Sequence, residues 1–162
     1  MSNSKSGAVE LTTDIIIQPD QSVVLAHTEV DISNPNKKIK AYAYASGAIE
    51  TLDENKISYL SIALSISGPS YPTPIVFSGA ATFTSTSFKT QLGNLIRTMQ
   101  AASLISIVPG ADGGGKTLIP GKYKLDLIAR VIGDAPIGIR ALSEDETHGA
   151  GLGFDEIDSV WW

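Results

Sequence analysis

The fold is decided by the stretch Leu118-Ile119-Pro120-Gly121-Lys122-Tyr123-Lys124-Leu125-Asp126-Leu127-Ile128-Ala129-Arg130-Val131. From Lys122 to Ile132 apolar and polar residues alternate strictly. One side of the pattern is Tyr123, Leu125, Leu127, Ala129 and Val131, and the other side includes Lys124, Asp126 and Arg130. Because side chains on a β-strand point to opposite faces in turn, this alternation predicts a strand with one face in a core.

The same pattern recurs along the chain. Alternating or extended stretches with intervening turn residues are predicted at Val24–Ile32, Ile39–Ile49, Ile57–Ser67, Ile75 to about Thr86, and Ile137–Ala141. A Pro-rich loop is expected from Pro69 to Pro74. Six or more strands of this kind predict an all-β fold, most simply a two-sheet antiparallel sandwich.

One segment has a different periodicity. Apolar residues recur at helical spacing at Phe88, Leu92, Leu95, Ile96 and Met99, and Ser87 is suited to cap the start of a helix. We therefore predict one short helix near residues 87–101, although Gly93 weakens it by about 1 kcal/mol relative to alanine.

The closing strands carry a family resemblance. Leu118–Val131, followed after a turn by Ile137–Leu142, resembles the strands that close jelly-roll modules of the tumour-necrosis-factor-like type and related phage tail and virion-surface domains. Val23–Ile32 followed by Asn34 is similar to an opening strand of such domains. The resemblance covers Gln21–Leu142 and implies a sandwich of jelly-roll type; no binding residues carry over with it.

Charge separates an acidic C-terminal tail from the rest of the chain. The 162 residues carry a net charge of −5, and residues 143–162 hold six acidic residues with no lysine or arginine. We expect an N-terminal arm (1–20), a β-sandwich domain (21–142) and an acidic C-terminal tail (143–162). Trp161 and Trp162 at its end are costly to leave in water. They either fold back on their own domain or anchor the tail on a neighbouring subunit.

One motif suggests nucleotide chemistry. Gly110-Ala111-Asp112-Gly113-Gly114-Gly115-Lys116-Thr117 matches the phosphate-binding loop pattern letter for letter. Such a loop works at the N-terminus of a helix that continues beyond its Lys-Thr pair, whereas Pro120-Gly121 and an alternating strand follow here. We interpret the motif as a glycine-rich turn, and expect no enzymatic activity and no cofactor or metal.

Composition excludes several further classes. The acidic balance argues against nucleic-acid binding, and without cysteine there is no disulfide, thiolate catalysis or cysteine-based zinc site. The sequence contains no run of 18 apolar residues, so no membrane span is predicted. The first fourteen residues lack an apolar signal region, so we expect synthesis in the cytoplasm without a signal peptide.

Faces expected to meet solvent are low in charge. Tyr42 and Tyr44 share one such face, and Tyr59 lies on another with Ser61, Ala63 and Ser65. With Trp161 and Trp162, these tyrosines are the candidate interface residues. The leading hypothesis is a non-enzymatic structural subunit of a symmetric assembly, a capsid, decoration or tail protein at a phage or virus particle surface, which forms a trimer or higher homo-oligomer and contacts other structural proteins.

Two alternatives stay open. A helix or loop of the same chain, for which the segment from Phe88 to Met99 is the candidate, could itself lie over the uncharged face, which would then need no partner. The chain could also be a carbohydrate- or receptor-binding module. A surface glycan would then stack on the aromatic candidates Tyr42, Tyr44, Tyr71, Trp161 and Trp162.

Overall fold

The computed structural model describes residues 6–34, 37–51, 56–89, 95–99, 101–108, 118–141 and 149–158. Within these ranges the chain forms twelve β-strands and no helix. The strands are β1 (Ser6–Glu10), β2 (Ile15–Ile17), β3 (Ser22–Ile32), β4 (Lys37–Ser46), β5 (Ala48–Thr51), β6 (Ser58–Gly68), β7 (Tyr71–Lys89), β8 (Leu95–Met99), β9 (Ala102–Ile107), β10 (Gly121–Gly133), β11 (Ile137–Ile139) and β12 (Gly149–Asp158).

The strands form two antiparallel sheets. A four-stranded sheet has the order β1-β12-β4-β9, and an eight-stranded sheet has the order β2-β11-β5-β8-β7-β6-β10-β3. Strands far apart in the sequence are neighbours in both sheets, as β1 and β12 illustrate. The prediction of an all-β, antiparallel fold is confirmed.

Strand β10 lies inside the larger sheet, paired with β3 on one side and β6 on the other. Its five inward residues, Tyr123, Leu125, Leu127, Ala129 and Val131, are fully buried. The alternation read from the sequence is therefore the alternation between core and outer face. The same holds for β6, where Leu60, Ile62, Leu64 and Ile66 are buried.

The two sheets share one hydrophobic core, so the fold is sandwich-like. The smaller sheet contributes mostly small side chains from β4, namely Ala41, Ala43 and Ala45, together with Leu152 and Phe154 of β12. The larger sheet contributes larger side chains, most of the leucines, isoleucines and valines of β3, β6 and β10. Small residues on one sheet opposite large ones on the other allow the inner faces to interdigitate.

The predicted helix near 87–101 is wrong. Ser87–Lys89 belong to β7, Leu95–Met99 form β8, and β9 begins at Ala102. Phe88 lies opposite Ile96, and β8 pairs with β5 on its other side. β8 lies between two strands that hydrogen-bond to its backbone on both sides. This pairing overrides the weak helical periodicity of the segment, which Gly93 already made a poor helix.

The other strand predictions are confirmed in position but shift at their ends. The Pro-rich stretch expected as a loop is mostly strand, since β7 begins at Tyr71. The run 39–49 is divided between β4 and β5 at Gly47. A Cβ at Gly47 would lie 2.6 Å from the carbonyl oxygen of Gly138, so only glycine fits where β11 approaches this corner.

The segments treated as arm and tail contain sheet strands. β1 and β2 lie within residues 1–20, and β12 lies within residues 143–162. β12 runs between β1 and β4, and its Ala150, Leu152 and Phe154 point into the core. The acidic tail is thus, over Gly149–Asp158, a central strand of the smaller sheet.

A polar cluster fixes the entry to β10. The buried Tyr123 donates its hydroxyl to the carbonyl oxygen of Ile119 (2.6 Å) and lies 2.8 Å from Ser70 Oγ. Ser70 Oγ accepts from the amide of Ile119 (2.9 Å), so the same serine binds both ends of the Ile119–Tyr123 turn. The cluster ties the start of β10 to the connection between β6 and β7.

Tyr123→Phe is expected to lower the free energy of unfolding by about 1–3 kcal/mol, because it leaves the Ser70 hydroxyl and the Ile119 carbonyl without their shared partner. Urea unfolding measures the change. Tyr42→Phe, which removes a hydroxyl from an outer face, is the control and should stay within about 0.5 kcal/mol of wild type. Equal effects of the two substitutions would contradict this role for Tyr123.

Candidate interaction face

The outer face of the four-stranded sheet carries two of the predicted interface residues. Tyr42 and Tyr44 alternate along β4 with buried alanines, so both rings point away from the core. Their cross-strand partners are Gly153 and Gly151 of β12 on one side, and Ile105 and Ser103 of β9 on the other. We call this surface, with Ala8 opposite Gly153 on β1, the tyrosine face.

The tyrosine rings lie over the glycines. A Cβ at Gly151 would be 2.6 Å from Cε1 of Tyr44, and a Cβ at Gly153 would overlap the Tyr42 ring. Any side chain on β12 at these positions would therefore displace a ring. The two glycines are two residues apart on β12, and they lie opposite two tyrosines that are two residues apart on β4. In each pair the aromatic ring covers the backbone of the glycine.

The centre of the tyrosine face carries no charge. Ile105 is 71% exposed beside Tyr42, and Ala8 and Ser103 are exposed as well. Charged residues lie at its ends, where Lys40 is opposite Asp155 and where Glu10 is opposite Gly151. Burial, and secondarily the negative charge of Glu10, raise the pKa of Tyr44 above its ordinary value.

The outer face of the larger sheet has an uncharged half. On β6, Tyr59, Ser61 and Ala63 are half-buried and face outward. Beside them on β7, Val76 is 65% exposed, and Gly79 and Ala81 are exposed too. Tyr59 and its neighbours thus form a second surface of low charge, as their alternation predicts.

The other half of that face is charged. His27 Nδ1 lies 2.6 Å from Asp126 Oδ1 across the β3–β10 pair. Lys122 Nζ lies 3.4 Å from Glu29 Oε2, and Arg130 lies 3.6 Å from Asp20. These groups are about one-third to three-quarters exposed, so each pair contributes little to stability and mainly keeps this edge of the sheet hydrated.

The candidate interface residues do not form one site. Tyr42 and Tyr44 lie together on the smaller sheet, whereas Tyr59 lies on the outer face of the larger sheet, on the opposite side of the sandwich. Trp161 and Trp162 lie outside the described residues. The segment from Phe88 to Met99 does not supply a helix over the tyrosine face, because its described residues are strands of the other sheet.

Sequence reasoning missed two features of this sheet. It did not connect the spacing of Gly151 and Gly153 with that of the tyrosines, although both patterns have a period of two. It also counted Glu156 only as part of the acidic tail, whereas Glu156 alternates inward after Phe154, is buried, and has an Oε2 without a hydrogen-bond partner. Its neighbour Asp155 faces outward, opposite Lys40 on β4.

The phosphate-loop match lacks the helix that its chemistry needs. Gly110–Thr117 lie outside the described residues, but Leu118–Pro120 are not helical and β10 follows at once. Across the described ranges, no three His, Asp or Glu side chains are grouped so that they could hold a metal ion. Nor does the described part of the chain contain a helix that could cross a membrane.

Comparison with known proteins gives no family. No protein-family model matches the chain, and no curated protein sequence matches it. Function is therefore inferred from the surfaces of the protein.

Gly153→Ala is expected to destabilise the protein by about 1–3 kcal/mol, because the new methyl group overlaps the Tyr42 ring. Gly138→Ala is the matched control, since a Cβ there meets nothing within 4 Å. In chemical unfolding, adding Tyr42→Ala to Gly153→Ala should relieve the overlap, so the two effects are non-additive. Simple additivity would contradict the stacked arrangement.

Tyr44 should ionise above the ordinary tyrosine pKa of about 10. The difference in 295 nm absorbance between wild type and Tyr44→Phe isolates its titration. Glu10→Gln should lower the pKa of Tyr44 only part of the way back to the ordinary value, because burial is the larger cause. Glu29→Gln, on the other sheet, is the control and should leave the pKa of Tyr44 unchanged. Because the folded-state pKa is the higher one, Tyr44 should weaken folding as pH rises through that pKa.

Proposed function

We propose that this chain is a non-enzymatic structural subunit of a symmetric assembly, of the kind that builds phage and virus particles as a capsid, decoration or tail protein. The observation that carries the proposal is the tyrosine face, an outer sheet surface with an uncharged centre and a 71% exposed isoleucine. Depletion of charge with enrichment of tyrosine is typical of the core of a protein–protein interface.

The strand order supports a jelly roll as the finer description of the fold. Eight strands pair in a nested order: β1 with β12, β3 with β10, β4 with β9, and β6 with β7. This is the order obtained when one long antiparallel hairpin is rolled into two four-stranded sheets, and β2, β5, β8 and β11 extend one of them. Jelly rolls serve as capsid domains, but also as lectins and other modules, so the fold alone does not choose the function.

The surfaces favour assembly over sugar binding. Two low-charge faces lie on opposite sides of the sandwich, which is what a subunit with neighbours on both sides needs. A carbohydrate- or receptor-binding module remains the second candidate, because Tyr42 and Tyr44 lie side by side and are half-exposed. It requires one face only and leaves the surface around Tyr59 and Val76 without a role.

The proposal predicts a mass of several subunits in size-exclusion chromatography with light scattering at micromolar concentration. Ala8→Glu, which adds a carboxylate to an exposed position on the tyrosine face, should reduce that mass. Val24→Glu is the control, because Val24 is 55% exposed on the charged half of the larger sheet. A wild-type monomer throughout the concentration range would contradict the proposal and favour the binding module.

A further inference from the structure

Strand β9 is an edge with little protection. Among the described residues it pairs with β4 alone. Its sequence, Ala102-Ser103-Leu104-Ile105-Ser106-Ile107, contains no charge and no proline. An exposed edge of this kind presents unpaired backbone groups to another strand, and proteins normally protect it with charge, proline or brevity.

The other described sheet edges show that protection. β3 carries His27, Glu29 and Asp31 along its length. β1 is five residues long and ends in Glu10, and β2 is only three residues long. β9 stands apart from them in combining six residues with a wholly uncharged sequence.

The direction of the free backbone groups follows from one hydrogen bond. The amide of Val108 donates to the carbonyl oxygen of Ile39 on β4 at 2.9 Å. In an antiparallel ladder, residues bond to the same neighbour at every second position. Ala102, Leu104 and Ser106 therefore bond to β4, whereas Ser103, Ile105 and Ile107 direct their N–H and C=O groups away from it.

We propose that β9 is the edge through which two copies of this chain pair, antiparallel and about a two-fold axis, joining their four-stranded sheets into one. This deepens the proposed function and rests on it. With Ile105 opposite Ile105 of the second copy, Ser103 lies opposite Ile107. No charged residue meets another, and outward side chains meet outward ones, so the register is self-complementary. The pairing also makes the two tyrosine faces continuous.

Ser103→Pro tests the backbone part of the proposal. Proline removes the outward N–H of residue 103 while leaving the ladder to β4 intact, and edge strands tolerate it at such positions. The variant should weaken two-fold pairing by about tenfold or more, because each pair loses two hydrogen bonds. Ser103→Ala is the matched control, since it removes the hydroxyl but keeps the N–H, and it should pair like wild type. Sedimentation velocity measures the dissociation constants.

Complementary charges test the register independently of proline. Ile105→Lys alone and Ile105→Glu alone should each dissociate, because like charges then face each other across the axis. Mixed in equal amounts, they should form a one-to-one heterodimer by native mass spectrometry. Circular dichroism shows whether each variant is folded. If Ser103→Pro does not fold, the mixture of Ile105→Lys and Ile105→Glu tests the pairing through β9.

The outcomes separate the two proposals. Loss of pairing in Ser103→Pro but not in Ser103→Ala, with a heterodimer in the mixture, supports pairing through β9. An assembly that Ser103→Pro and both Ile105 variants leave unchanged overturns the role of β9 while the proposed function stands. A wild-type chain that is monomeric at every concentration overturns both.

Discussion

Burial of one face of β10 is the constraint on which the rest of the structure depends. Its inward side chains are fully excluded from water because β3 and β6 flank it in its own sheet and the smaller sheet packs against the shared core. β3 lies about one hundred residues before β10 in the sequence. The strands between them must therefore form hairpins or move to the other sheet, and this leads to the two sheets and their nested pairing. The Tyr123 cluster fixes where β10 begins and so sets its register.

The smaller sheet meets a different requirement. Its inner face packs against the large side chains of the other sheet with alanines, while its outer face covers two β12 glycines with the rings of Tyr42 and Tyr44. The rings lie against the backbone beneath them, and this contact orders an uncharged surface. In the proposed assembly, a surface ordered in this way would lose little side-chain entropy on binding. The uncharged β9 edge lies on the same sheet, so the surface and the edge would act together in an assembly.

The sequence predicts the strands whose alternation is strong, β3, β6 and β10, because one face of each is core and the other is polar. It does not predict β8, where a short apolar pattern fits a helix and a strand equally well and pairing with β5 and β7 decides. It also treats Gly149–Asp158 as a tail, because glycines and acidic residues hide the inward series Ala150, Leu152 and Phe154. For the site, the tyrosines are visible in the sequence, but the rings over Gly151 and Gly153 depend on a register between strands more than one hundred residues apart.

The most direct test is an NMR measurement of contacts between strands. The position of β10 between β3 and β6 predicts nuclear Overhauser effects from β10 protons to both strands, in the registers Asp126 with His27 and Leu127 with Leu64. Sequential amide–amide contacts running from residue 121 through 133, the signature of a helix after the glycine-rich segment, would contradict it and restore a nucleotide-binding loop as the better interpretation.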